Sequence, residues 1–442
     1  MTKPALSHTV LLDTIIGGGQ ALGTLDDGRK ALVWGGLPGE TVAFRVTKKK
    51  SHFVEGVVSE LKTSSTERIS PADPDSYLST SPWQFMKFSA EQHYKAALIE
   101  EAFELHDIVL PNPIEMYSDG HIDHYRNKVE FSWYSDADKN GGETLDLAFF
   151  RRGSKGKITI DACSLLPDSM MKLAKEIRDL LRAKKVTARQ LKTLLIRCDK
   201  SGQCVWQLYL KEVNPDLITT KEASNLTAQG GELIYSDPKS PASRITKRLA
   251  QYGEIALSDI LLGVPFNYAA ESFFQINLPV YEQVLHDLKR WVVADTQTID
   301  LYSGVGTIGL TIGGDECTLI EIDENAVREM KRNIKRLESN AKAVLAPSEK
   351  SLDYIKPYTT VIVDPPRAGL HRDVITRLLS VRPQRIIYLS CNPSTQARDV
   401  ALLATAYGIA HHQGYNFFPR TPHIEHLVVL DLRDTSLQFN TV

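Results

Sequence analysis

Short apolar stretches separated by tight turns fill residues 8–62. Apolar and polar positions alternate within them, as in HTVLLDTII, ETVAFRVTKKK and HFVEGVVSEL, and glycines or an Asp-Asp-Gly turn separate them. Alternation with a period of two predicts strands with one buried face. Several such strands favour a small closed β-barrel over residues 1–62, of the OB type that often binds single-stranded nucleic acid. The alternative is an accessory barrel without a ligand.

The pattern becomes mixed after this barrel. Residues 63–82 are rich in serine, threonine and proline and predict a linker. Residues 89–107 have helical apolar spacing behind Ser89, a suitable cap. Farther on, strand patterns such as VEFSWY and VWQLYL flank a long helix near 167–184. The sequence predicts a central α+β domain over 63–265, from which helix 89–107 is free to pack against the following domain.

Strands and helices alternate from about residue 266 to the end of the chain. The apolar strands are TIDLYS, CTLIEID, TTVIVDPP, RIIYLSC and HLVVLDL. This alternation predicts a doubly wound, Rossmann-like α/β domain over 266–442, and so a multi-domain α/β protein. The intervening helices are expected near 278–291, 324–339, 372–380 and 394–405.

Charge adds only local information, because the formal net charge is −2. The chain as a whole therefore lacks the excess of positive charge that is typical of many nucleic-acid-binding proteins. Basic runs occur in three places, and each alone is more often a solvated face than a binding site. The runs are Lys48-Lys49-Lys50, then Arg151, Arg152, Lys155 and Lys157, then Arg182, Lys184, Lys185, Arg189 and Lys192.

The five cysteines are scattered, and no two form a C-x-x-C pair. This pattern makes both a disulfide framework and a zinc site unexpected. A cysteine with a special role should then be a chemical group rather than a structural one. The five are Cys163, Cys198, Cys204, Cys317 and Cys391.

The apolar residues form no run of membrane-spanning length. The N-terminus also lacks the charged segment and continuous apolar stretch of a secretory signal. We therefore expect a soluble, cytoplasmic protein with no membrane partner, and a monomer by default.

A glycine-rich turn follows the first strand of the C-terminal region. The sequence DLYSGVGTIGL, residues 300–310, fits G-x-G-x-x-G, with Gly304 and Gly306 in the turn. Glycines there let the backbone approach a ligand closely. The next strand ends at Glu321, which could accept hydrogen bonds from ribose hydroxyls. Together they predict an adenosine-type cofactor, either a dinucleotide or S-adenosylmethionine; the alternative is an ordinary strand-turn-helix.

The strand over residues 361–363 ends at Asp364-Pro365-Pro366-Arg367. The two prolines stop the strand and make a stiff rim at the carboxyl edge of the sheet, where ligands bind in such folds. An Asp-Pro-Pro rim is rare in dehydrogenases and frequent in base methyltransferases. It therefore favours methyl transfer over hydride transfer.

Cys391 follows an apolar strand on the same predicted rim. A lone cysteine in such a position is usually a small buried hydrophobe. Here Asn392-Pro393 follow and a helix is expected from Ser394, and its N-terminus would lower the pKa of the thiol. Cys391 is therefore a candidate nucleophile.

Two further segments lie near the two ends of this domain. TPHIEH, residues 421–426, offers Glu425 and two histidines, His423 and His426, as candidate bases. Spacing alone does not choose among them, and histidine is the usual base near neutral pH. SFFQIN, residues 272–277, suits an adenine or methionine group, or is an ordinary domain joint.

This set of residues fits methylation of uracil at C5. C5 is a poor nucleophile, and a thiolate that adds to C6 makes C5 carbanion-like. A base must then remove the C5 proton so that the sulfur can leave. The target base must also leave its stack to reach the site. Cys391, one base and an aligned methyl donor are the minimum requirement.

The motifs DLYSGVGTIGL, VIVDPPRAGL, LSCNPST and TPHIE, preceded by FFQIN, resemble those of the RNA uracil-5-methyltransferase family in type and order. The resemblance covers roughly 265–442, and residues 8–62 resemble the TRAM barrel of many ribosomal-RNA members. It implies a class I S-adenosylmethionine-dependent enzyme acting on uracil in RNA. By position it implies Cys391 as nucleophile, Glu425 as proton acceptor, and Gln275, Tyr302, Glu321 and Asp364 as cofactor contacts beside Gly304 and Gly306. The role of Arg367 is left open.

Two positions depart from the family. Many TRAM-bearing members hold a [4Fe-4S] cluster with four cysteines, three of them just before the helix expected at 89–107. The matching stretch here, residues 70–85, has no cysteine, and only Cys163 matches the fourth ligand position. One thiolate cannot hold the cluster, so we expect none. Ser303 stands where the family often has cysteine, which should be tolerated.

Three other functions are weighed against this one. A cytosine-C5 enzyme places a proline before its catalytic cysteine, whereas Ser390 precedes Cys391. A catalytically silent RNA-binding or folding factor would not need an intact Cys391 and Glu425. A nicotinamide oxidoreductase fits the glycine turn but not the Asp-Pro-Pro-Arg rim. Within the family, the TRAM-like barrel favours 23S rRNA over tRNA as the substrate.

Overall fold

The computed structural model describes residues 6–137, 143–241 and 243–433. Within those residues the strands form a closed five-stranded barrel, a seven-stranded sheet, a two-stranded hairpin and an eight-stranded sheet. The predicted fold class, a multi-domain α/β protein with an N-terminal barrel and a C-terminal Rossmann-like domain, is confirmed.

The N-terminal barrel closes because its strands bury alternate side chains, as the period of two predicts. The strands are β1 (Ser7–Ile15), β2 (Ala21–Thr24), β3 (Lys30–Trp34), β4 (Thr41–Lys49) and β5 (Phe53–Leu61). Their order is β1-β2-β3-β5-β4, and β4 pairs back with β1. Leu12, Val33 and Phe44 are among the side chains that fill the interior.

The segment after the barrel contributes to the C-terminal half of the molecule. Its elements are α1 (Tyr77–Thr80), α2 (Phe88–Glu104) and β6 (Met116–Tyr117). Ile99 and Phe103 of α2 lie in one core cluster with apolar residues of the C-terminal sheet. No helix within the described residues is long and apolar enough to cross a membrane.

The central sheet has the order β13-β12-β11-β10-β7-β8-β9, and a separate hairpin, β14–β15, follows it. Their strands are β7 (Lys128–Tyr134), β8 (Asp146–Phe150), β9 (Lys157–Thr159), β10 (Leu191–Cys198), β11 (Cys204–Leu210), β12 (Gly230–Tyr235), β13 (Lys247–Gly253), β14 (Ala256–Leu261) and β15 (Val264–Ala269). The helices are α3 (Asp168–Ala183) and α4 (Thr220–Ser224).

Both faces of the central sheet are covered, which explains why β10 and β11 are buried along their length without alternation. Ile177 of α3 lies in one core cluster with Trp206. On the other face, Leu195 and Tyr209 lie in a second cluster with Val284 of the next helix in the chain. The central sheet is therefore packed between α3 and the C-terminal part of the chain.

The expectation that no disulfide forms is wrong for one pair of cysteines. Cys198 ends β10 and Cys204 begins β11, and the hairpin register places them directly opposite each other. Their Cα atoms are 4.0 Å apart, and the structure joins them in a disulfide. The sequence separation of 6 conceals this pairing, because it depends on the register of the hairpin.

The C-terminal part begins with α5 (Leu278–Lys289). The remaining helices are α6 (Thr307–Ile312), α7 (Glu324–Arg336), α8 (Arg372–Val381) and α9 (Pro393–Leu403). Its strands are β16 (Thr298–Leu301), β17 (Thr318–Glu321), β18 (Lys342–Leu345), β19 (Thr360–Val363), β20 (Arg385–Ser390), β21 (Tyr407–Tyr415) and β22 (Glu425–Leu432). Short 3₁₀ turns occupy Ser348–Lys350 and Leu352–Tyr354.

The strand order of the C-terminal sheet is β18-β17-β16-β19-β20-β22-β21-β6. The first five strands in that order are parallel, whereas β22 runs antiparallel to both β20 and β21. Helices α2, α8 and α9 pack on one face, and α5 and α6 on the other. The loops after the parallel strands therefore gather at one edge, where the candidate site lies.

Candidate active site

The candidate chemical groups meet where the parallel strands end. In the sheet register Leu301 pairs with Val363 and Val363 pairs with Tyr388. Asp364 directly follows the end of β19, and Cys391 directly follows the end of β20. The sheet therefore brings these two side chains, which are distant in sequence, to the same edge.

Glu425 reaches this edge from the opposite direction. Ser390 pairs with His426 across the antiparallel β20 and β22. Cys391 follows Ser390 and Glu425 precedes His426, so the two candidates occupy adjacent positions on neighbouring strand ends. Glu425 is buried, and Cys391 is half-buried.

The electrostatic surroundings of Cys391 oppose its ionisation. Burial, followed by the carboxylates of Glu425 and Asp364, raises the pKa of the thiol to about 11, although the positive charge of Arg367 acts against them. The sequence-based expectation of a lowered thiol pKa at the start of α9 is therefore wrong. The helix does begin at Pro393, but burial and two carboxylates outweigh its N-terminus.

The carboxyl groups of the site also favour their neutral forms. Burial raises the pKa of Asp364 to about 7. Burial and the neighbouring Asp364 raise the pKa of Glu425 well above its usual range, and Arg367 lowers it in part. Two acids that share a poorly solvated site cannot both ionise easily. Near neutral pH the carboxyl groups of Asp364 and Glu425 are therefore only partly ionised.

Of the two histidines that compete with Glu425 as the base, His426 lies on the wrong side of the strand. Adjacent residues of a strand point to opposite faces. The His426 ring is buried, lies 2.7 Å from Oε1 of Gln396 through Nδ1, and packs edge-on against Phe103. Burial lowers the pKa of His426 well below its usual value. It is a neutral core residue.

His423 lies at the rim beside Arg367. Nη2 of Arg367 is 2.9 Å from Nδ1 of His423. Desolvation and then the charge of Arg367 lower the pKa of His423 to about 4, so the ring is neutral at neutral pH. The main-chain oxygen of Arg367 accepts hydrogen bonds from Asn392 Nδ2 and Thr395 Oγ1. Arg367, to which the sequence assigned no role, is thereby held next to the segment that carries Cys391.

The glycine turn leaves open space in front of the sheet. Gly304 and Gly306 have φ values of 56° and 88°, in the left-handed region that suits glycine. A Cβ atom added to Gly304 would meet no atom within 4 Å. The amide of Gly304 donates to Oε2 of Glu321 at 2.9 Å, and Oε1 accepts from the amides of Ile322 and Asp323. Glu321 therefore fixes this turn as well as facing the space beside it.

Asp300 is a residue of this site to which the sequence analysis assigned no role. It is buried within β16, and its Oδ2 accepts a hydrogen bond from the amide of Gly309 at 3.0 Å. Burial raises the pKa of Asp300 to about 8. The acid thus anchors the start of α6 to the strand. An acidic residue inside an apolar strand pattern is the feature that could have indicated it.

Gln275 lies in a segment that the central sheet holds through main-chain contacts. Asn127 Nδ2 donates to the carbonyl of Gln275 at 3.0 Å. The buried guanidinium of Arg197 donates to the carbonyls of Ser272 and Phe274, at 2.6 and 2.5 Å. Together with Tyr302, whose φ is 64°, Gln275 belongs to the predicted cofactor contacts.

A buried charged network that the sequence did not reveal holds the loop before Glu425. Lys95 and Glu91 of α2 are fully buried, and Nζ of Lys95 is 2.9 Å from Oε1 of Glu91. Lys95 donates to Oδ1 of Asn416 at 2.6 Å, and the amide of Arg420 donates to Oε2 of Glu91 at 2.9 Å. Arg420 has a positive φ of 65°, and the Glu91 contact stabilises this strained position.

Cys163 lines a cavity of about 400 Å³ together with Ser79, Thr80 and Arg126. Burial raises the pKa of its thiol to about 11, as it does for Cys391. Cys163 differs in its position, since it lies between β9 and α3 and not at the sheet edge that carries Asp364 and Glu425. Within the described parts of the chain, no three histidine, cysteine or acidic side chains are grouped closely enough to hold a metal ion.

Comparisons with known proteins find RNA methyltransferases. Residues 349–433 match a family model described as tRNA (uracil-5-)-methyltransferase. A relative from Nitratidesulfovibrio vulgaris, described as an uncharacterized RNA methyltransferase, is 26% identical over 98% of this chain and 97% of its own. One from Listeria monocytogenes with the same description is 27% identical over 92% of this chain and 94% of its own.

A solved structure has the same fold along nearly the whole chain. It is the Pyrococcus abyssi tRNA (uracil-54, C5)-methyltransferase in complex with S-adenosyl-L-homocysteine. The TM-score is 0.78, the identity is 24%, and the match covers 96% of this chain and 100% of the other. At this identity the likeness shows the fold.

The Rossmann-like sheet, the site at its carboxyl edge and these matches define an RNA methyltransferase. More narrowly, the part of the chain that carries Asp364, Cys391 and Glu425 is similar to the RNA uracil-5-methyltransferase family.

Proposed function

We propose that the protein transfers the methyl group of S-adenosylmethionine to C5 of a uracil in RNA, with Cys391 as nucleophile and Glu425 as proton acceptor. The adjacency of these two residues at the ends of β20 and β22, beside Asp364, carries the proposal. A thiol and a carboxyl group placed side by side are what addition at C6 and proton removal at C5 require.

The residues at the glycine turn fit the methyl donor. The space in front of Gly304 is open, and Glu321 at its side suits ribose hydroxyls. Gly306, Tyr302, Gln275 and Asp364 complete the proposed contacts. S-adenosylmethionine, when bound, supplies an electrophilic methyl group. The Pyrococcus abyssi protein of the same fold is in complex with S-adenosyl-L-homocysteine, which supports this choice.

The proposed reaction needs both Cys391 and Glu425 without their protons. The sulfur of Cys391 forms a bond with C6, and C5 then takes the methyl group. Glu425 accepts the proton that C5 releases, and the bond between sulfur and C6 breaks. Since burial raises the pKa of both groups, the rate should increase as the pH rises above neutral.

Two RNA classes are candidates. We propose 23S rRNA first, because the N-terminal barrel resembles the TRAM barrel of ribosomal-RNA members of the family. tRNA is the second candidate, because the Pyrococcus abyssi enzyme acts on tRNA and has the same fold from end to end. Unmodified transcripts of both RNAs, incubated with the methyl donor and analysed for 5-methyluridine, discriminate between them.

The monomeric state, the cytoplasmic location and domain limits of 1–62, 63–265 and 266–442 also remain predictions.

Covalent trapping tests the roles of the two residues. Fluorine at C5 cannot leave as a proton, so RNA containing 5-fluorouracil should form a stable adduct with the wild-type protein and the methyl donor. Cys391→Ala should form none. The control variant is Cys317→Ala, which changes a buried cysteine directly before the start of β17 and should behave as wild type. Glu425→Gln should accumulate the adduct on unmodified RNA because C5 keeps its proton. Methylation without an adduct would refute the role of Cys391 as nucleophile. Unchanged turnover by Glu425→Gln would refute the role of Glu425 as proton acceptor.

A further inference from the structure

The structure sorts the three basic runs of the sequence into paired and free charges. Lys48 of the first run pairs with Glu55 at 2.6 Å. Arg182 of the third run pairs with Asp146, and Lys184 pairs with Glu222 at 2.8 Å. These charges are largely neutralised within the fold, so the surface that remains positive is smaller than the sequence indicates.

Four cationic residues come together in one groove on the central sheet. The groove has a volume of about 380 Å³ and lies between the loop joining β8 to β9, the start of β10 and the end of β11. Its cationic residues are Lys155 and Lys157 from the second run, Arg189 from the third, and Lys211, which the sequence did not single out. Tyr134 and Trp133 form part of the wall.

The cations of this groove have few acidic partners. Among the described residues, Lys155, Lys157 and Lys211 form no ion pair with a carboxylate, and the pair of Arg189 with Glu143 is long, at 3.7 Å. Lys157 Nζ donates instead to the carbonyl of Trp133 at 2.8 Å. Burial and the nearby charge of Lys211 lower the pKa of Lys157. Like charges gathered without a counterion favour an anionic ligand.

An exposed aromatic ring lies beside the cations. Phe150 is 67% exposed, and it lies opposite Lys157 in the β8–β9 pair, with Nζ of Lys157 at 5.3 Å from the ring centre. Cationic grooves with exposed aromatic rings are typical of proteins that bind the backbone of nucleic acids and stack their bases.

The loop that lines the groove also packs on the barrel. A Cβ atom added to Gly153 would lie 3.0 Å from Thr47 and 2.7 Å from Val57. The guanidinium of Arg152, in the same loop, lies 4.0 Å from the ring centre of Trp34 in β3. The groove is therefore held beside the barrel.

We propose that this groove binds the sugar–phosphate backbone of the substrate RNA, away from the target uracil, with Phe150 stacking on a base. The proposal rests on the proposed function in taking RNA as the ligand. It assigns the contact to phosphates rather than to base edges, so it predicts affinity for RNA rather than a choice of sequence.

Binding at different salt concentrations tests the groove. The test variant combines Lys155→Gln, Arg189→Gln and Lys211→Gln. The control is a second triple variant that removes the same charge from exposed positions outside the groove, namely Lys172→Gln, Lys239→Gln and Lys289→Gln. The probes are 23S rRNA and tRNA from a strain lacking the protein. Three lost phosphate contacts should weaken binding on the order of a hundredfold at about 0.1 M salt and reduce the slope of log K against log salt by about 2. Phe150→Ala should weaken binding with little change in the slope.

The outcomes are separable. Equal affinities and slopes for the two triple variants would overturn the proposal. Unchanged RNA affinity with lost binding of polyglutamate would assign the groove to an acidic protein, which also overturns it. The adduct with 5-fluorouracil RNA is measured in parallel at saturating RNA. RNA binding that depends on the groove, without formation of the adduct, would support the proposed role of the groove and contradict the proposed methylation at uracil C5.

Discussion

Cys391 shows how much the chemistry of one residue depends on distant parts of the chain. Its position after an apolar strand can be read from the sequence, and so can its place beside Asp364 on the rim. Its ionisation cannot be read in this way, because the pKa of about 11 comes from burial and from Glu425 and Asp364, which other strands bring to it. The helix that follows Cys391 predicts a lowered thiol pKa, which is the opposite of the direction that its surroundings produce.

Alkylation of Cys391 without RNA measures this ionisation directly. Asp364 has a pKa of about 7, so at pH 8 to 9 it is charged and raises the pKa of the thiol. Asp364→Asn removes that charge, which lowers the thiol pKa and should speed reaction with iodoacetamide about tenfold for each pKa unit. The rate is followed by mass spectrometry of the Cys391 peptide, with the exposed Asp373→Asn as control. Equal rates for the two variants would show that Asp364 does not govern the thiol.

At the scale of elements, the sequence located those with strong local patterns. The helices expected at 278–291 and 372–380 occur at Leu278–Lys289 and Arg372–Val381. The strands β13 and β21 were missed. Their sequences, KRLAQYG and YGIAHHQGY, are too polar to indicate a strand. They are strands because β12 and β22 pair with them, which is tertiary information.

The contact between the barrel and the active-site loop provides a second prediction. A Cβ atom added to Gly19 would lie 2.3 Å from Pro422, whereas one added to Gly18 would meet nothing within 4 Å. Both glycines have a φ of 95°, so alanine at either position carries the same backbone strain. Gly19→Ala should therefore destabilise the protein by about 1–3 kcal/mol more than Gly18→Ala.

Urea unfolding gives this difference, and the methylation rate shows whether the loop has moved. We expect Gly19→Ala to lose more activity than Gly18→Ala, because Pro422 lies close in sequence to Glu425. Equal free energies of unfolding for the two variants would show that Gly19 is not in close contact with the loop that carries Pro422.

At the scale of the whole molecule, the central sheet supports the segment that carries Gln275, one of the proposed cofactor contacts. Arg197 of β10 is fully buried and donates to the carbonyls of Ser272 and Phe274, directly before Gln275. Its guanidinium also lies 4.8 Å from the ring centre of Tyr268. The sequence could not predict this role, since an arginine within an apolar strand pattern has no visible partner until the chain is folded.

Arg197→Met should loosen the segment that carries Gln275. We expect the KM for S-adenosylmethionine to rise about tenfold, equivalent to about 1.4 kcal/mol, with a smaller change in the KM for RNA. Lys192→Met on the same strand, whose amino group bonds to Ser236 and Ser240, is the control. Steady-state kinetics with each substrate varied in turn measures both constants, and a uniform loss in both would indicate a general folding defect instead.

The placement of α2 and β6 has a consequence for how the protein is made. Both elements are translated before the central sheet, yet α2 packs on α9 and β6 pairs with β21 near the end of the chain. The apolar face of α2 therefore lacks its C-terminal partners until the last strands have been translated. The loop that Glu91 holds can be set only then. A truncated translation product thus lacks an assembled active site, and a gene fragment beginning at residue 266 would encode a sheet without one wall of its core.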